Sequence, residues 1–332
     1  ILVAPGPDKC LHETANFHIV EVKCFSYPLW EQIAMPLALS KIKPDILHCT
    51  SNTAPIFCNI PYILTLHDVI FLERQQRSNK SIYQTFGRLY RKLIVPCILS
   101  KCKRIITVSN FERKNICNKI KIAPEKVITI YNGYNKKFQP LTNYNQITRK
   151  YINKENYILF FGNTDPKKNT IHTLRAYALY IIQSNAPLPL LIVDLHQSII
   201  ESIIRQENIE YIKPYLHCPG YIQNSDLPYI YNGAFIFLYT SIRESFGLPI
   251  LESMGCGTPV IVSNTSAIPE VAGDGALFID PYNEQEIADK LLLMENDKEL
   301  YSKQVEYGKN RVNLFSWQNT AINLIQVYNS MV

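Results

Sequence analysis

The chain has 332 residues, of which 47% are apolar and 19% are charged, a composition that excludes a disordered polymer and suits two domains of common size. Its apolar runs are only as long as strands, far below the roughly 18 residues that cross a bilayer, which excludes a membrane-spanning protein. The net charge of +6 is unevenly divided, because residues 1–143 carry +11 and residues 144–332 carry −5.

In the first half, short β-branched runs alternate with longer segments of helical period, which predicts a parallel α/β domain. Residues 1–8 have the pattern of a strand running into a turn, without an initiator methionine or a signal sequence, so we expect the numbering to begin inside a longer chain. A turn-rich, polar stretch at 132–154 predicts the interdomain linker. Before it, helices are predicted at 30–40 and 81–100, and strands at 45–48, 62–66, 104–108 and 127–130.

The same alternation restarts after the linker. A strand at 157–161 is followed by a polar loop and by a helix that runs to about residue 184. Two further helices begin near residues 284 and 317. The remaining strands are predicted at 188–193, 212–218, 234–240, 260–263 and 276–279. The pattern predicts two Rossmann-like domains, with ligands expected at the carboxyl ends of the strands.

Cysteine and histidine spacing argues against metal chemistry. The nine cysteines are odd in number and form no C-x-x-C pair, which favours a reducing, cytoplasmic compartment over a disulfide framework or a zinc ribbon. The seven histidines lack ligand spacing, and no two of the ten aspartates lie two residues apart. The D-x-D that would hold a divalent cation against a diphosphate is therefore missing, and we expect no metal.

The basic residues of the first half cluster on and after the predicted helix 81–100. Three interpretations stay open: a solvated helix face, a surface that meets anionic membrane headgroups, and a nucleic-acid surface. The last is disfavoured because no nucleic-acid motif accompanies the charge. The cluster comprises Arg88, Arg91, Lys92, Lys101, Lys103 and Arg104, with a second group at 113–126.

Glycine is rare, with 12 residues, yet seven of them lie within 56 residues of the second half. In this window a predicted buried strand ends in a polar loop, 244–248, and Pro249 stands where a helix would begin. The loop would present free backbone N–H groups at a helix N-terminus, an arrangement that binds phosphate. Gly247 has no Cβ, so an anion could approach the backbone closely.

Two carboxylates belong to this loop and helix. Glu252 is predicted in the first helical turn, where it either complements the helix dipole or accepts hydrogen bonds from a vicinal diol such as a ribose. Glu244 lies eight residues earlier and is either a surface charge or a ligand contact. The residues alone leave both alternatives open.

Glu244 and Glu252 enclose Ser-Phe-Gly-Leu-Pro, and Gly-Cys-Gly-Thr-Pro-Val-Ile follows from residue 255. This block resembles the E-x₇-E segment of glycosyltransferase family 4, the group 1 glycosyl transferases. Leu29-Trp30-Glu31-Gln32 and Leu66-His67-Asp68 are similar to the O-antigen-type members. The likeness covers nearly the whole chain, through 107–109, 161–169, 220–222, 266–271, 280–281 and 315–317.

The resemblance implies the GT-B fold, with two Rossmann-like β/α/β domains facing a central cleft. It implies an acceptor-side domain at 1–143, a nucleotide-sugar-binding domain at 144–314, and a C-terminal helix at 315–332 that packs back on the first domain. The first domain begins at what resembles the second strand of a typical member, without the first β–loop–α unit and its glycine-rich loop.

The resemblance also assigns roles to residues. Lys168 would neutralise the donor diphosphate, Glu244 would lie against the donor sugar, and Glu252 would bind the ribose. His67 would line the acceptor side with Asp68 and act near the transferred sugar, so that the catalytic set is Lys168, Glu244 and His67. The remaining donor-binding residues are Gly162, Asn163, Lys167, Ser245, Phe246, Gly247 and Leu248.

Two segments differ from the family pattern. Asn163 stands near the position where many members carry an arginine, with Lys167 as the second positive charge. The turn after the strand at 188–193 is Asp194-Leu195-His196-Gln197, where a glycine-containing turn is expected.

The leading hypothesis is a retaining, metal-independent hexosyltransferase of bacterial surface polysaccharide synthesis. Its donor would be a GDP- or UDP-linked sugar, with mannose favoured. Its acceptor would be a lipid-linked glycan at the inner face of the cytoplasmic membrane, and no nucleic acid is expected as a partner. The second hypothesis is a truncated, catalytically weak nucleotide-sugar-binding subunit. A dehydrogenase is disfavoured because no G-x-G-x-x-G follows a predicted strand.

Overall fold

The computed structural model of the chain describes residues 2–3, 13–73 and 82–331. The chain divides into two compact units, Ile1–Ile130 with Asn323–Val332, and Tyr131–Ile322. The division lies at residue 130, whereas the sequence placed a boundary after residue 143. Residues 4–8 of the predicted initial strand and turn lie outside the described residues.

The first unit contains a parallel sheet in the order β3-β4-β5-β6, and a separate parallel pair, β1 with β2. Its strands are β1 Leu2–Val3, β2 Val20–Glu21, β3 Leu47–Cys49, β4 Tyr62–Thr65, β5 Arg104–Thr107 and β6 Val127–Thr129. Its helices are α1 Tyr27–Leu29, α2 Met35–Ile42, α3 Ile82–Leu99 and α4 Asn110–Ile120, with a π-helical turn at Trp30–Ala34 and 3₁₀ turns at Ile70–Leu72 and Pro124–Lys126.

The interior of this sheet is apolar on both faces. Every residue of β4 is buried, as expected for a central strand of a parallel sheet. On one face, Val95 and Ile98 of α3 belong to the same buried cluster as Leu64 and Ile105. On the other face, Ile63, Ile106 and Ile130 form a second cluster with Leu324, Val327 and Tyr328, which lie near the end of the chain.

The second unit is built around a six-stranded parallel sheet in the order β12-β11-β10-β7-β8-β9. Its strands are β7 Tyr157–Phe161, β8 Leu190–Val193, β9 Leu216–Gly220, β10 Ala234–Tyr239, β11 Val260–Ser263 and β12 Leu277–Ile279. Its helices are α5 Asn145–Thr148, α6 Thr170–Gln183, α7 Gln197–Gln206, α8 Leu227–Gly233, α9 Leu248–Gly255, α10 Ile268–Ala272, α11 Glu284–Asn296, α12 Lys298–Arg311 and α13 Trp317–Asn329, with 3₁₀ turns at Pro166–Lys168, Glu210–Tyr215 and Val312–Leu314. Helix α13 continues into the first unit from residue 323.

This strand order is that of a doubly wound Rossmann fold, because β8 and β9 extend the sheet on one side of β7, and β10, β11 and β12 extend it on the other. The predicted Rossmann-like architecture of the second half is confirmed. Two of the predicted strands, 157–161 and 260–263, match the observed bounds.

Other elements differ from their predictions. Residues 212–215 fall in the 3₁₀ turn Glu210–Tyr215, and the strand predicted at 212–218 is displaced to Leu216–Gly220. Pro214 lies inside that turn, where its missing N–H removes a ladder hydrogen bond from any strand. The helix predicted at 30–40 begins instead with α1 at Tyr27 and passes through the π-helical turn before α2.

Candidate functional site

The order of the second sheet fixes where a ligand can bind. Strands β7 and β10 are neighbours, yet the chain leaves β7 toward β8 and leaves β10 toward β11. The connections therefore diverge at this point, and a crevice opens beyond the carboxyl ends of the two strands. Two loops, 162–169 after β7 and 240–247 after β10, occupy that position.

The loop after β7 is shaped by its own side chains. Gly162 is buried at its start, where a Cβ would lie 2.7 Å from Cδ1 of Leu195. The Asn163 side chain accepts a hydrogen bond from the Asp165 amide at 2.8 Å, and the Asp165 carboxylate accepts one from the Lys167 amide at 3.2 Å. These two caps close the 3₁₀ turn and fix the backbone that carries both lysines. Packing and turn geometry thus account for Gly162 and for the Asn163 side chain.

The two loops are joined by a backbone hydrogen bond and by an ion pair. The amide of Ile242 donates to the carbonyl of Lys167 at 2.7 Å. Nζ of Lys168 lies 2.6 Å from Oε1 of Glu244, and both side chains remain partly exposed. The structure therefore brings together two predicted site residues that are far apart in sequence. Lys167 lies beside them, with Nζ 3.8 Å from Oδ2 of Asp165.

The backbone of Glu244 is also fixed by hydrogen bonds. Its amide donates to Oγ of Ser266 at 3.0 Å, and its carbonyl accepts from Nη1 of Arg243 at 3.1 Å. The carbonyl also accepts from the amide of Ala267 at 3.4 Å. Contacts on both sides of the peptide restrict the orientation of Glu244 before any ligand arrives.

A tyrosine lies beneath the Lys168–Glu244 pair. The ring centroid of Tyr239 is 5.6 Å from Nζ of Lys168, close enough for a cation–π contact. Burial raises the pKa of Tyr239 well above its usual range, and the neighbouring Glu244 carboxylate, to which its hydroxyl is hydrogen-bonded, adds to the increase. The hydroxyl therefore stays protonated as a hydrogen-bond donor to Glu244.

The loop after β10 leads into helix α9 through a glycine with a left-handed backbone. Gly247 has φ +109°, a conformation that L-residues rarely adopt. Helix α9 begins at Leu248. Pro249 has no N–H, and the amide of Ile250 donates to the carbonyl of Gly247 at 3.1 Å, so the backbone N–H groups that could serve a ligand at this helix start are those of the loop up to Leu248. Phe246 is buried, with its ring 6.1 Å from Tyr131 and 5.8 Å from Phe315. Its side chain therefore belongs to the core of the unit, and only its backbone can serve a ligand.

The second carboxylate, Glu252, lies one turn into α9. The sequence placed it in the first turn as an alternative dipole partner, but the helix begins one residue before Pro249 and its first turn contains no acidic residue. Oε2 of Glu252 accepts a hydrogen bond from the Tyr231 hydroxyl at 3.2 Å. Burial raises the pKa of Glu252, and the Tyr231 hydrogen bond and Lys137 partly oppose the increase. A half-buried carboxylate at the edge of a crevice is costly unless it has a partner to bind.

Three residues of this site were not predicted. Tyr239 is the last residue of β10, and its position at the carboxyl end of a central strand was a usable signal. Asp194 follows β8 with φ +69°; burial raises its pKa and Lys168 partly opposes the increase. Tyr231 lies in the short helix α8, where no sequence pattern distinguishes it from a core tyrosine.

His67 and Asp68 follow strand β4 of the first unit. The His67 amide donates to Oδ1 of Asn52 at 2.7 Å, and its Nε2 lies 2.9 Å from the carbonyl oxygen of Thr50. Oδ1 of Asp68 accepts from the amide of Ile70 at 3.0 Å and caps the 3₁₀ turn that follows. The strand end, the Asn52 amide and the Thr50 carbonyl thus orient a half-buried imidazole.

Neither a metal-binding cluster nor a membrane-spanning helix is present among the described residues. Within residues 13–73 and 82–331, no cluster of three or more His, Cys, Asp or Glu side chains is arranged to hold a metal ion. Over the same ranges, no helix combines the length and the apolarity needed to cross a membrane.

Several of the similar curated proteins are named as mannosyltransferases. The chain is 31% identical over 240 residues to O-antigen chain mannosyltransferase B of Escherichia coli, which covers 69% of this chain and 61% of that protein. It is 25% identical over 307 residues to the serotype-specific mannosyltransferase WbdA of Escherichia coli, covering 87% of this chain and 37% of that one. The chain therefore spans less than two thirds of the length of these relatives.

Solved structures of the same fold are also found. A glycosyltransferase from Rickettsia africae superposes with a TM-score of 0.73 at 21% identity, covering 94% of this chain and 85% of that one. The Anabaena protein HepE, in a complex with UDP, superposes with a TM-score of 0.73 at 16% identity, covering 94% and 86%. Both matches span nearly the whole chain, and they support the GT-B fold.

Two family models divide the chain between them. The model described as Glycosyltransferase Family 4 matches residues 1–138, and the model described as Glycosyl transferases group 1 matches residues 145–311. The second match contains the loop after β7, the Lys168–Glu244 pair and helix α9. The chain belongs to the group 1 glycosyl transferases of glycosyltransferase family 4 and has their GT-B fold.

Proposed function

We propose that this chain transfers a hexose, with mannose as the favoured sugar, from a nucleoside diphosphate sugar to a glycan acceptor during bacterial surface polysaccharide synthesis. The observation that carries the proposal is the Lys168–Glu244 pair at the switch point of the second sheet, 2.6 Å apart and beside the start of α9. The names of the mannosyltransferase relatives support the choice of sugar, and they do not favour a binding-only remnant.

In this proposal the donor lies across the carboxyl ends of β7 and β10. The diphosphate meets Lys168 and the backbone amides of residues 245–248 at the start of α9, where a helix N-terminus favours negative charge. Glu252 accepts hydrogen bonds from the ribose hydroxyls, and Glu244 lies against the sugar. Asn163, Lys167, Ser245 and the peptide at Gly247 and Leu248 complete the donor-binding loops.

The reaction replaces one bond to the anomeric carbon by another. The bond between that carbon and the phosphate oxygen breaks, the acceptor oxygen bonds to the same carbon, and the acceptor proton passes to the departing phosphate. Lys168 stabilises the negative charge that develops on the leaving group. We propose that the displacement occurs on the front face and retains the anomeric configuration. The two glutamates then need not act as a glycosidase-like acid and base.

We also propose that the transfer needs no divalent metal ion. In this proposal Lys168, with Lys167 nearby, supplies the positive charge that a divalent cation supplies in other transferases. We also propose that His67 and Asp68 serve the acceptor side of the reaction.

A donor screen tests the proposal. Titration calorimetry with GDP- and UDP-linked hexoses, followed by product analysis with a mannose-terminated glycan acceptor, should give donor binding in the micromolar range and a new α-linked product from an α-linked donor, with or without EDTA. Binding without product would favour the truncated-subunit hypothesis instead, and an inverted product would contradict retention.

We also propose that the first unit docks on an anionic membrane, where a lipid-linked acceptor would be presented. Helix α3 exposes three apolar side chains at helical spacing, Phe86, Leu89 and Leu93, which are 66%, 52% and 62% exposed. Arg91 and Lys92 are exposed on the same helix. Apolar residues beside basic ones are typical of helices that lie in a headgroup layer.

The membrane proposal predicts loss of vesicle binding in the Phe86→Glu/Leu93→Glu double variant. Because both side chains are already exposed, folding should be unaffected, whereas partitioning to vesicles of phosphatidylglycerol and phosphatidylethanolamine at low salt should fall at least about tenfold. Cosedimentation measures it. The matched control is Ile182→Glu, since Ile182 is 67% exposed on α6 of the second unit. Equal retention of all three proteins, or no retention of the wild type, would contradict the proposal.

A further inference from the structure

The first unit buries a carboxylate that the proposed reaction does not use. Glu31 lies in the π-helical turn Trp30–Ala34 and is 1% exposed. A buried carboxylate is tolerated only when it is well hydrogen-bonded. Glu31 accepts from the hydroxyls of Tyr27 at 2.9 Å, Thr53 at 2.6 Å and Tyr90 at 2.6 Å. Burial raises the pKa of Tyr27 to about 12, so that hydroxyl remains a donor.

One of these donors ties Glu31 to the loop between β3 and β4. Thr53 belongs to that loop. Gln32, the residue that follows Glu31, makes two more hydrogen bonds to the same loop. Nε2 of Gln32 donates to the carbonyl of Ala54 at 3.1 Å, and its Oε1 accepts from the amide of Ile56 at 2.9 Å. The π-helical turn therefore clamps residues 53–56 through two adjacent side chains, and π-helical turns are frequent at functional sites.

The same loop orients His67. Asn52, next to Thr53, accepts from the His67 amide, and the Thr50 carbonyl contacts Nε2 of the imidazole. A carbonyl oxygen can only accept, so Nε2 must carry the proton, and a neutral ring then has an unprotonated Nδ1. Asn52 itself has φ +63°, and its amide donates to the carbonyl of Thr65 at 3.0 Å.

We propose that Glu31 is a positioning residue for His67. By anchoring Thr53 it holds Asn52 and Thr50 where they fix the orientation of the imidazole and select its Nε2–H tautomer, leaving Nδ1 unprotonated. The link from this tautomer to sugar transfer rests on the function proposed above for His67. The tautomer itself does not, and it can be measured without any substrate.

Long-range ¹H–¹⁵N correlation spectra of histidine-labelled protein at mildly alkaline pH report the tautomer directly. His67→Gln assigns the resonance. We expect the Nε2–H form in the wild type and a mixture of tautomers in Glu31→Gln, whose amide places a donor against hydroxyl donors. The same variant should lose kcat at least about tenfold, the scale of a small misplacement in an active site, with donor affinity unchanged by calorimetry.

Matched variants in the loop keep the test independent of Glu31. Glycine and aspartate can both adopt the positive φ of Asn52. Asn52→Gly removes the side-chain oxygen that accepts from the His67 amide, whereas Asn52→Asp keeps such an oxygen. Asn52→Gly should behave like Glu31→Gln, and Asn52→Asp should keep the Nε2–H tautomer of the wild type. If Glu31→Gln does not fold, Thr53→Val removes the same link with an isosteric side chain.

The outcomes separate the two claims. A wild-type tautomer in folded Glu31→Gln or Thr53→Val overturns the positioning role, even if transfer is lost. A shifted tautomer with undiminished transfer overturns the involvement of His67 in the reaction. If the wild type has no transferase activity, the proposed function fails, and the spectra still decide whether Glu31 positions His67.

Discussion

Lys168→Ala should lower kcat for sugar transfer about 10³-fold, the upper end of what one charge-stabilising group contributes when it faces a developing anion. Its Nζ is positioned by Glu244 at 2.6 Å and by the Tyr239 ring at 5.6 Å, so the positive charge is in place before the donor binds. Because the side chain is partly exposed, its removal should leave the fold intact. Rates are measured at saturating donor, with circular dichroism as the folding check.

Three further variants separate the causes of that loss. Lys168→Arg keeps the charge and should recover part of the rate. Lys168→Ala/Glu244→Gln tests whether the unpaired Glu244 carboxylate repels the diphosphate, since the second change then restores donor affinity. Lys303→Ala removes an equal charge from an exposed i,i+4 pair with Glu299 and should have no effect. A rate for Lys168→Ala close to that of the wild type would contradict the assignment.

Glu252→Gln should weaken binding of the nucleoside diphosphate about 10²-fold, because hydrogen bonds to a charged acceptor contribute roughly 1.5–3 kcal/mol each. Titration calorimetry with the free nucleoside diphosphate measures the change, and Glu299→Gln, an exposed glutamate on α12, is the control. Unchanged nucleotide affinity in Glu252→Gln would show that this carboxylate does not contact the ribose.

The pH dependence of Glu252 gives a second signature. Burial raises the pKa of its carboxyl group, so acidification should weaken nucleotide binding in the wild type at a higher pH than an ordinary glutamate would. Glu252→Gln, which does not titrate, should lack this dependence.

The same shift predicts an opposite effect on stability. A raised pKa in the folded state means that ionised Glu252 costs stability at neutral pH and that the cost disappears as the pH falls through the folded-state value. Glu252→Gln should therefore be more stable than the wild type near neutrality, with the difference closing under acid. Thermal unfolding at several pH values measures it. A variant less stable at neutral pH would contradict this account.

The strands of the second unit were predicted well because they are buried and are separated by clear turn residues. Tyr157–Phe161 and Val260–Ser263 are short β-branched or aromatic runs bounded by turn residues. Where turn residues did not mark the ends of an element clearly, its predicted bounds were displaced. Residues 212–215 were predicted as the start of a strand, but they form a 3₁₀ turn that contains Pro214 and do not pair with the sheet.

The candidate site was predictable in part. Lys168, Glu244 and Glu252 stood in recognisable motifs, and the structure brings the first two into contact. Tyr231 was missed because its hydroxyl contacts Glu252, a residue distant in sequence, and a linear pattern does not encode such a contact. Tyr239 was missed although it ends a central strand and lies close in sequence to Glu244. The hydroxyl cage around Glu31 was equally hidden, since Tyr27, Thr53 and Tyr90 come from three separate segments.

Residues late in the chain complete the core of the first unit. One face of its sheet is covered by Leu324, Val327 and Tyr328, which pack with Ile63 and Ile106. In addition to these apolar contacts, the Tyr328 hydroxyl oxygen lies 2.6 Å from Nδ1 of His48, within hydrogen-bond distance.

Because a ribosome adds residues from the amino end, the sheet of the first unit is made long before the residues that cover it. All of the second unit between Tyr131 and Ile322 must be synthesised first. The nascent first unit therefore carries an uncovered apolar face throughout that interval, and its core closes only after translation has passed residue 328. A chaperone that shields apolar surface on nascent chains should thus bind the early half of this protein and be released late.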